Sequence, residues 1–254
     1  MRAILVNEFG PSEGLGIGEV AEPMPGADEV LVTVYAAPVN YVDLLVIGGT
    51  YQFLPPLPFI PGKGPAGVVT ALGRAVTSLR VGDRVLAMAE QGGYAEAVTV
   101  PANQCYRLPP SMSFTAAASL SLVYETAWFA LRERARLESG ETVLVLGASG
   151  GVGHAALQLA HAMGARVLAG FLRPERTASV RAAGADAVID LSAADLRDRL
   201  RAEVYAGTEG RGVDIILDPL GGAIFDAAYR VVPTTALSIG VPSAPSRSAS
   251  ARQL

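Results

Sequence analysis

The 254-residue chain is poor in the side chains that hold metals and cross-links, with one cysteine and two histidines. A single cysteine, Cys105, excludes a disulfide framework and suits a reducing compartment. His154 and His161 stand seven residues apart. On a helix they share a face but lie about 10.5 Å apart along its axis, too far for one metal ion to bridge. A polar helix face shared with Gln158 accounts for them, no zinc set of three or four ligands can be assembled, and Cys105 reads as structural. There is no basic excess either: 20 Lys and Arg face 24 Asp and Glu, a net charge of -4, which argues against a nucleic-acid surface. No apolar run approaches the roughly 18 residues of a membrane span. The start, MRAILVNEF, turns polar at Asn7 and reads as a strand rather than a secretory signal. These absences predict a soluble, cytoplasmic protein without nucleic-acid or membrane partners.

What the chain does have is apolar content, 50% of its residues, enough for a sizeable core. Up to Pro110 it carries short β-rich runs punctuated by Gly and Pro: EVLVTVYA (29–36), AGVVTALG (66–73) and DRVLAMA (83–89). That spacing predicts a small barrel or sandwich. FLPPLPFIPG (53–62) is too rich in proline for regular structure and reads as a loop. The rhythm then changes. A helical, alanine-rich segment covers about 114–136. Strands ETVLVLG (141–147), ARVLAG (165–170), DAVID (186–190) and VDIILD (213–218) follow, alternating with helices that end near Met163, Ala183, Tyr205 and Val232. Strands that are apolar almost throughout predict a parallel sheet covered on both faces. The expected organisation is one domain over 1–115, a doubly wound α/β domain over 116–241, and a disordered Ser/Ala/Pro/Arg-rich tail over 242–254.

The stretch LVLGASGGVGHAALQLA (144–160) carries the clearest chemistry. Gly147, Gly150 and Gly153 are spaced by three with Gly151 among them, and Ser149 and Val152 complete the turn. A helix follows with Val152, Ala155, Ala156, Leu159, Ala160 and Met163 on one face and Gly164 as its expected C-cap. The glycines therefore lie between a strand and a helix N-terminus, where free N–H groups and the helix dipole favour an anion. Glycines alone would serve equally as a tight turn packing helix to strand. The βαβ context points to dinucleotide binding, with room for a pyrophosphate.

The second strand of that unit suggests which dinucleotide. An NAD site places Asp or Glu at this strand's tip, about 20 residues beyond the glycines. Here the tip reads Gly170-Phe171-Leu172-Arg173; the first acid, Glu175, follows Pro174 and opens the next helix. Arg173 and Arg176 flank it, and a guanidinium grips a phosphate through two parallel hydrogen bonds. Either they are solvated surface charges or they hold the extra phosphate of NADPH. The missing acid favours NADPH.

Taken together these segments resemble the zinc-free quinone oxidoreductases of the medium-chain dehydrogenase/reductase superfamily. The matching stretches are EVLVTVYAAPVNYVDLLVIGGTY (29–51), FIPGKGPAGVVTALG (59–73), VGDRVLAM (81–88), GGYAEAVTVPA (92–102), TAWFALRERARLESGETVLVLGASGGVG (126–153) and GRGVDIILDPLGGAIFDAA (210–228). The resemblance implies a GroES-like β-barrel catalytic domain, a Rossmann domain, and NADPH-dependent reduction of a quinone or activated alkene, in a homodimer. It implies that Thr126, which can equally be an ordinary helix residue, and Gly240 lie beside the cofactor, and that Asn40 and Tyr41, in VNYVD, stand at the active-site cleft. Both can donate a hydrogen bond to a developing oxyanion; equally, Asn40 can order a turn and Tyr41 can pack with its hydroxyl at the rim. Asp43 reads as a cap or brace. Zinc-bearing relatives carry a His-Glu pair where Lys63 and Gly64 stand, and Leu45 replaces a tyrosine common in the family. Family chains continue well beyond residue 254, and the resemblance fades after Val232, which implies a chain incomplete at its C-terminus. An enoyl or enone reductase, or a protein that binds nucleotide without turnover, are the alternative readings.

Overall fold

β-Branched runs supply the strands of both halves of the chain, and their alternation decides what they cover. The computed structural model describes residues 1–192, 195–229 and 237–240. By compactness it divides into two units, Met1–Leu122 and Val123–Leu254.

In the first unit, β1 (Arg2–Leu5) and β2 (Gly16–Glu19) form an antiparallel pair. The main sheet has five antiparallel strands: β3 (Glu29–Ala36), β4 (Ala66–Leu72), β5 (Arg84–Ala87), β6 (Ala97–Pro101) and β7 (Cys105–Arg107), in the order β6-β3-β4-β5-β7. Central β3 sends Val30 and Val32 into a core with Val69, Leu79, Val85, Val98 and Val100. Among the described residues β6 and β7 are the edges of this ladder and do not pair with each other. Pro101 ends β6, and Pro109 and Pro110 follow β7, each without an N–H to extend its strand's ladder. The Arg84 guanidinium donates to the Pro110 carbonyl (2.9 Å) and ties that exit down. Segment 53–62 forms no helix or strand and joins β1's continuation through a single bridge, Val6 to Phe59. A short helix, α1 (Tyr41–Ile47), follows β3. Cys105 packs beside the same core as β3, and burial pushes its thiol up to about 11.

Helix α2 (Phe114–Trp128) begins in the first unit, with Ala117 and Ala118 against Ala66, and the boundary falls inside it, beyond the 115/116 position expected from sequence. The expected continuous helix to 136 gives way to a wide π turn over Phe129–Arg134, closed by the Ala135 N–H donating to the Ala130 carbonyl (2.8 Å). The wider turn lets consecutive Ala130 and Leu131 both reach the core.

The second unit holds a parallel sheet: β8 (Thr142–Leu146), β9 (Arg166–Phe171), β10 (Ala187–Asp190), β11 (Ile215–Asp218) and β12 (Leu237–Gly240), ordered β10-β9-β8-β11-β12. Its helices are α3 (Gly151–Ala162), α4 (Thr177–Ala182), α5 (Leu196–Gly207) and α6 (Gly222–Tyr229). Side chains alternate strictly between two cores. Val143, Val145, Val167, Ala169, Ile215 and Leu217 face α3, α4 and the end of α2; Leu144, Leu146, Leu168, Ile189 and Ile216 face α5 and α6. Both faces are covered, as the apolar runs predicted. On α3, Leu157 is fully buried although the sequence pattern left it off the apolar face, because that face is broad. Met163 is the C-cap and Gly164 the next residue (φ +84), with Gly164 N–H to the His161 carbonyl and Ala165 N–H to the Ala160 carbonyl, both 3.0 Å. No described helix is long and apolar enough to cross a membrane. The expected tail, 242–254, and the end of the last helix, 230–232, lie outside the described residues.

Gly153 is buried where α3 meets the turn after β8, and a Cβ there would run into the Gly147 carbonyl oxygen. Gly153→Ala is expected to cost about 1–3 kcal/mol through overpacking, read as a lower midpoint in urea unfolding. Alkylation of Cys105 by iodoacetamide at pH 8 should be more than roughly tenfold slower than for the same thiol in the urea-unfolded chain, since only the thiolate reacts.

Candidate functional site

β8 sits at the switch of strand order: α3 leads from it to β9 on one side, while β11 lies on the other. In open α/β sheets ligands bind outside the carboxyl ends of the strands at this point. The turn 147–150 is there. Gly147 adopts φ +66, closed to most side chains, and its carbonyl accepts the Gly150 N–H (2.9 Å). Gly150 is the N-cap of α3 and Gly151 its first residue; both are exposed, and no side chain caps the helix. The first-turn N–H groups of Gly151, Val152 and Gly153 thus have no acceptor within the helix, the usual condition for holding an anion. Ser149 and Val152 are half-buried, and Ala148 is fully buried with its N–H donating to the Gly170 carbonyl (3.0 Å). A Cβ on Gly150 would meet only the Gly147 oxygen, at 3.3 Å, so this glycine leaves room above the turn rather than packing beneath it. The cradle fits a dinucleotide pyrophosphate.

The same carboxyl edge gathers most of the other expected cofactor contacts. β9 runs one residue further than predicted, to Phe171, so Gly170 lies inside the strand, buried and paired with Leu146 and Ile189. Its nearest neighbours would be Leu146 and Leu191 side chains, which explains its small size by packing. Arg173 and Arg176 follow β9 within the short turn Pro174–Arg176 and its N-cap; both are exposed, and neither forms an ion pair among the described residues. Glu175, the only acid there, is exposed in the same turn. Gly240 ends β12, opposite Asp218 of β11, and is exposed. Thr126 lies on α2, three residues beyond Val123, whose methyl group faces Gly151. Sequence reasoning missed Asp218 here. Its buried carboxylate accepts the N–H groups of Leu220 (2.8 Å) and Gly221 (3.0 Å), and the loop so formed brings Pro219 and Leu220 against Gly147. An acid followed by Pro-Leu-Gly-Gly at a strand end was the available signal.

In the first unit, Asn40 is the N-cap of α1 and Tyr41 its first residue. The cap has the reciprocal geometry of a capping box: the Asp43 carboxylate accepts the Asn40 N–H (2.8 Å), while the Asp43 N–H donates to the Asn40 backbone carbonyl (3.1 Å) and is faced by the Asn40 side chain. The sequence reading of Asp43 as a cap holds. The box orients the amide: Asn40 Oδ1 faces the helix, and Nδ2 is buried with no partner among the described residues. An unsatisfied buried donor costs about 1–3 kcal/mol, so pairing this NH2 with an acceptor would recover that cost. Tyr41 is 62% exposed, and Leu45 is half-buried on the same helix.

Asp43 itself is only 3% exposed. Burial pushes its carboxyl above the ordinary carboxylate range, opposed by hydrogen bonds from the Asn40 backbone and from Tyr94 and by the Lys63 charge. The Tyr94 hydroxyl lies 2.8 Å from Asp43 Oδ2 and 3.1 Å from the Pro38 carbonyl, and burial, then the Asp43 contact, raise its phenol above the ordinary value. Lys63, the only lysine in the chain, is nearly buried; its ammonium pairs with Glu90, donates to the Glu90 carbonyl (3.2 Å) and lies 5.8 Å from the Tyr51 ring centre. The roles of Tyr94 and Lys63 were not legible in sequence, because their partners are 51 and 27 residues away. Among the described residues, no group of three or more His, Cys, Asp or Glu could hold a metal ion.

Comparison with known proteins agrees with this architecture. Residues 26–110 match the alcohol dehydrogenase GroES-like domain, and residues 151–250 match the zinc-binding dehydrogenase family. The chain is 39% identical over 222 residues to the quinone oxidoreductase of Mus musculus, covering 87% of this chain and 66% of that one. It spans 62% to 66% of the length of the curated relatives it matches first. Among solved structures, a quinone oxidoreductase of Pseudomonas syringae is 31% identical with a TM-score of 0.85, covering 94% of this chain and 72% of that one. A mycobacterial protein in complex with NADPH is 32% identical with a TM-score of 0.88, covering 98% of this chain and 76% of that one. With an antiparallel unit capped at Asn40, a glycine turn at the switch of a parallel sheet, and these relatives, the chain belongs to the quinone oxidoreductase family of the medium-chain dehydrogenase/reductase superfamily.

Proposed function

We propose that this protein is an NADPH-dependent reductase that acts on a quinone or similarly activated carbonyl or alkene without a metal ion. The exposed glycine cradle at the N-terminus of α3 carries this reading, and the mycobacterial relative in complex with NADPH supports it. NADPH, when bound, supplies the hydride. The chain's part is to hold and orient. The free N–H groups of 151–153 would receive the pyrophosphate, with Gly150 leaving its space open. Arg173 and Arg176, exposed and without an acidic partner among the described residues, would grip the 2′-phosphate, and no carboxylate at the end of β9 competes for the ribose. Thr126 and Gly240 would lie beside the cofactor as secondary contacts.

Hydride arriving at an electron-poor carbon leaves negative charge on a carbonyl oxygen. The Asn40 NH2, already oriented and unpaired among the described residues, would donate to that oxygen, which stabilises the charge without reorganisation. Tyr41, exposed beside it, offers a second donor. A quinone and an enone demand the same donor, so the site serves either class. A cytoplasmic location and a homodimer belong to the same family-based reading.

Direct binding and turnover test it. NADPH should bind the purified chain at least roughly tenfold more tightly than NADH. The double variant Arg173→Ala/Arg176→Ala should lose most of that preference while keeping NADH affinity. Gly150→Ala should unfold near the parent's midpoint yet lose NADPH affinity, because its methyl group enters the phosphate space; unchanged affinity would assign the glycines to packing alone. NADPH oxidation with 1,4-benzoquinone should proceed and survive EDTA. Binding without oxidation would make the chain a nucleotide-binding protein, and loss of turnover to EDTA with stoichiometric zinc would overturn the metal-free reading.

A further inference from the structure

We propose that Tyr94 and Asp43 are positioning residues that hold the Asn40 carboxamide in one orientation, with Oδ1 toward the helix and the NH2 left for an acceptor, a role that rests on Asn40 acting as the donor described above. The two ends of an asparagine side chain are nearly identical in shape, so the amide must be prevented from flipping if it is to donate reliably. The capping box does this. Oδ1 faces the Asp43 N–H, and a flipped amide would set NH2 against N–H.

Capping alone does not require what surrounds Asp43. A seven-residue helix is satisfied by the Asn40 and Asp43 exchange, both local. Here the Asp43 carboxylate is buried, although burial disfavours its charge, and it receives a second donor from Tyr94, 51 residues away. Tyr94 is itself held firmly. Its N–H donates to the Pro61 carbonyl (2.9 Å), the Gly93 N–H donates to the Gly62 carbonyl (2.9 Å), and its ring lies on Gly62, whose φ of +99 leaves no room for a side chain. Asp43, which faces the Asn40 amide and holds the Asn40 backbone N–H, is thereby braced against the 60–64 and 89–94 loops and not merely against its own helix. The brace depends on charge. The Tyr94 hydroxyl has one proton and two acceptors in reach, Asp43 Oδ2 and the Pro38 carbonyl. An ionised Asp43 draws that proton to itself. Lys63, balanced by Glu90, supplies the positive charge that helps keep Asp43 ionised.

Tyr94→Phe removes the hydroxyl and keeps the ring on Gly62. The first readout needs no turnover: hydrogen exchange of the Asn40 side-chain NH2 in 15N-labelled, ligand-free protein, assigned by its absence in Asn40→Ser. Exchange should quicken by roughly tenfold or more in Tyr94→Phe, while backbone amides of β3 and β4 keep their protection. The second readout is benzoquinone reduction, where kcat should fall about tenfold with the quinone KM and NADPH affinity within about twofold. Asp43→Asn, which keeps the acceptor for the Asn40 N–H but weakens the Tyr94 bond, should give the same pattern at smaller amplitude. Unchanged Asn40 NH2 exchange in Tyr94→Phe would overturn the proposal, as would quickening matched across β3 and β4, which marks a merely structural role. A parent chain that shows the exchange effect but no turnover would refute the enzymatic reading while leaving the positioning role standing.

Discussion

Helix α3 and the turn after β8 approach one another backbone to backbone, and the second unit is organised around that approach. The Gly147 carbonyl closes the turn by accepting the Gly150 N–H, and the same oxygen lies where a side chain at 153 would have to be. No side chain separates helix from strand, so the α3 N-terminus is held at the carboxyl edge of the sheet. On the far side Pro219 and Leu220, placed by Asp218, lean on Gly147. The outer glycines, 150 and 151, can then stay exposed with their N–H groups free, because the inner ones carry the packing. A single motif thus divides its labour: Gly147 and Gly153 build the turn, Gly150 and Gly151 keep it open.

The sheet supports that edge by simple means. Each strand places alternate residues in one of two apolar cores. The polar work is pushed to the strand ends, where Asp214 accepts the Thr142 N–H and Asp186 accepts the Val167 N–H, at 2.8 and 2.7 Å. A rigid apolar slab with its backbone donors exposed at one end is what phosphate recognition requires, since side-chain entropy is not spent in presenting those donors.

The first unit follows a different logic. Its sheet core is also apolar, but beside it the unit buries a carboxylate and a phenol and nearly buries its one lysine. Such groups are costly to desolvate and are retained where they fix geometry. They converge on the start of α1, where one amide is left with a donor unpaired among the described residues. That contrast, a satisfied network ending in one unsatisfied atom, distinguishes Asn40 from an ordinary cap.

Much of this was legible in the sequence because it is local. The parallel sheet follows from apolar runs of strand length, the phosphate cradle from glycines three apart between strand and helix, and the cap at Asp43 from its spacing to Asn40. Boundaries were less legible: the π turn at 129–134 depends on two adjacent residues both finding core, and the extra residue of β9 depends on pairing with β10. Least legible were Tyr94, Lys63 and Asp218. Each acts through a partner brought close by chain folding, or through a loop pressed onto another strand's turn, and no periodicity encodes such a contact. Sequence determined which segments become strands, helices and cradle, since those follow from backbone preference and the period of apolar residues. Tertiary structure alone decided which donor is left unpaired and what braces it, because hydrogen bonds between distant residues exist only after burial has brought them together.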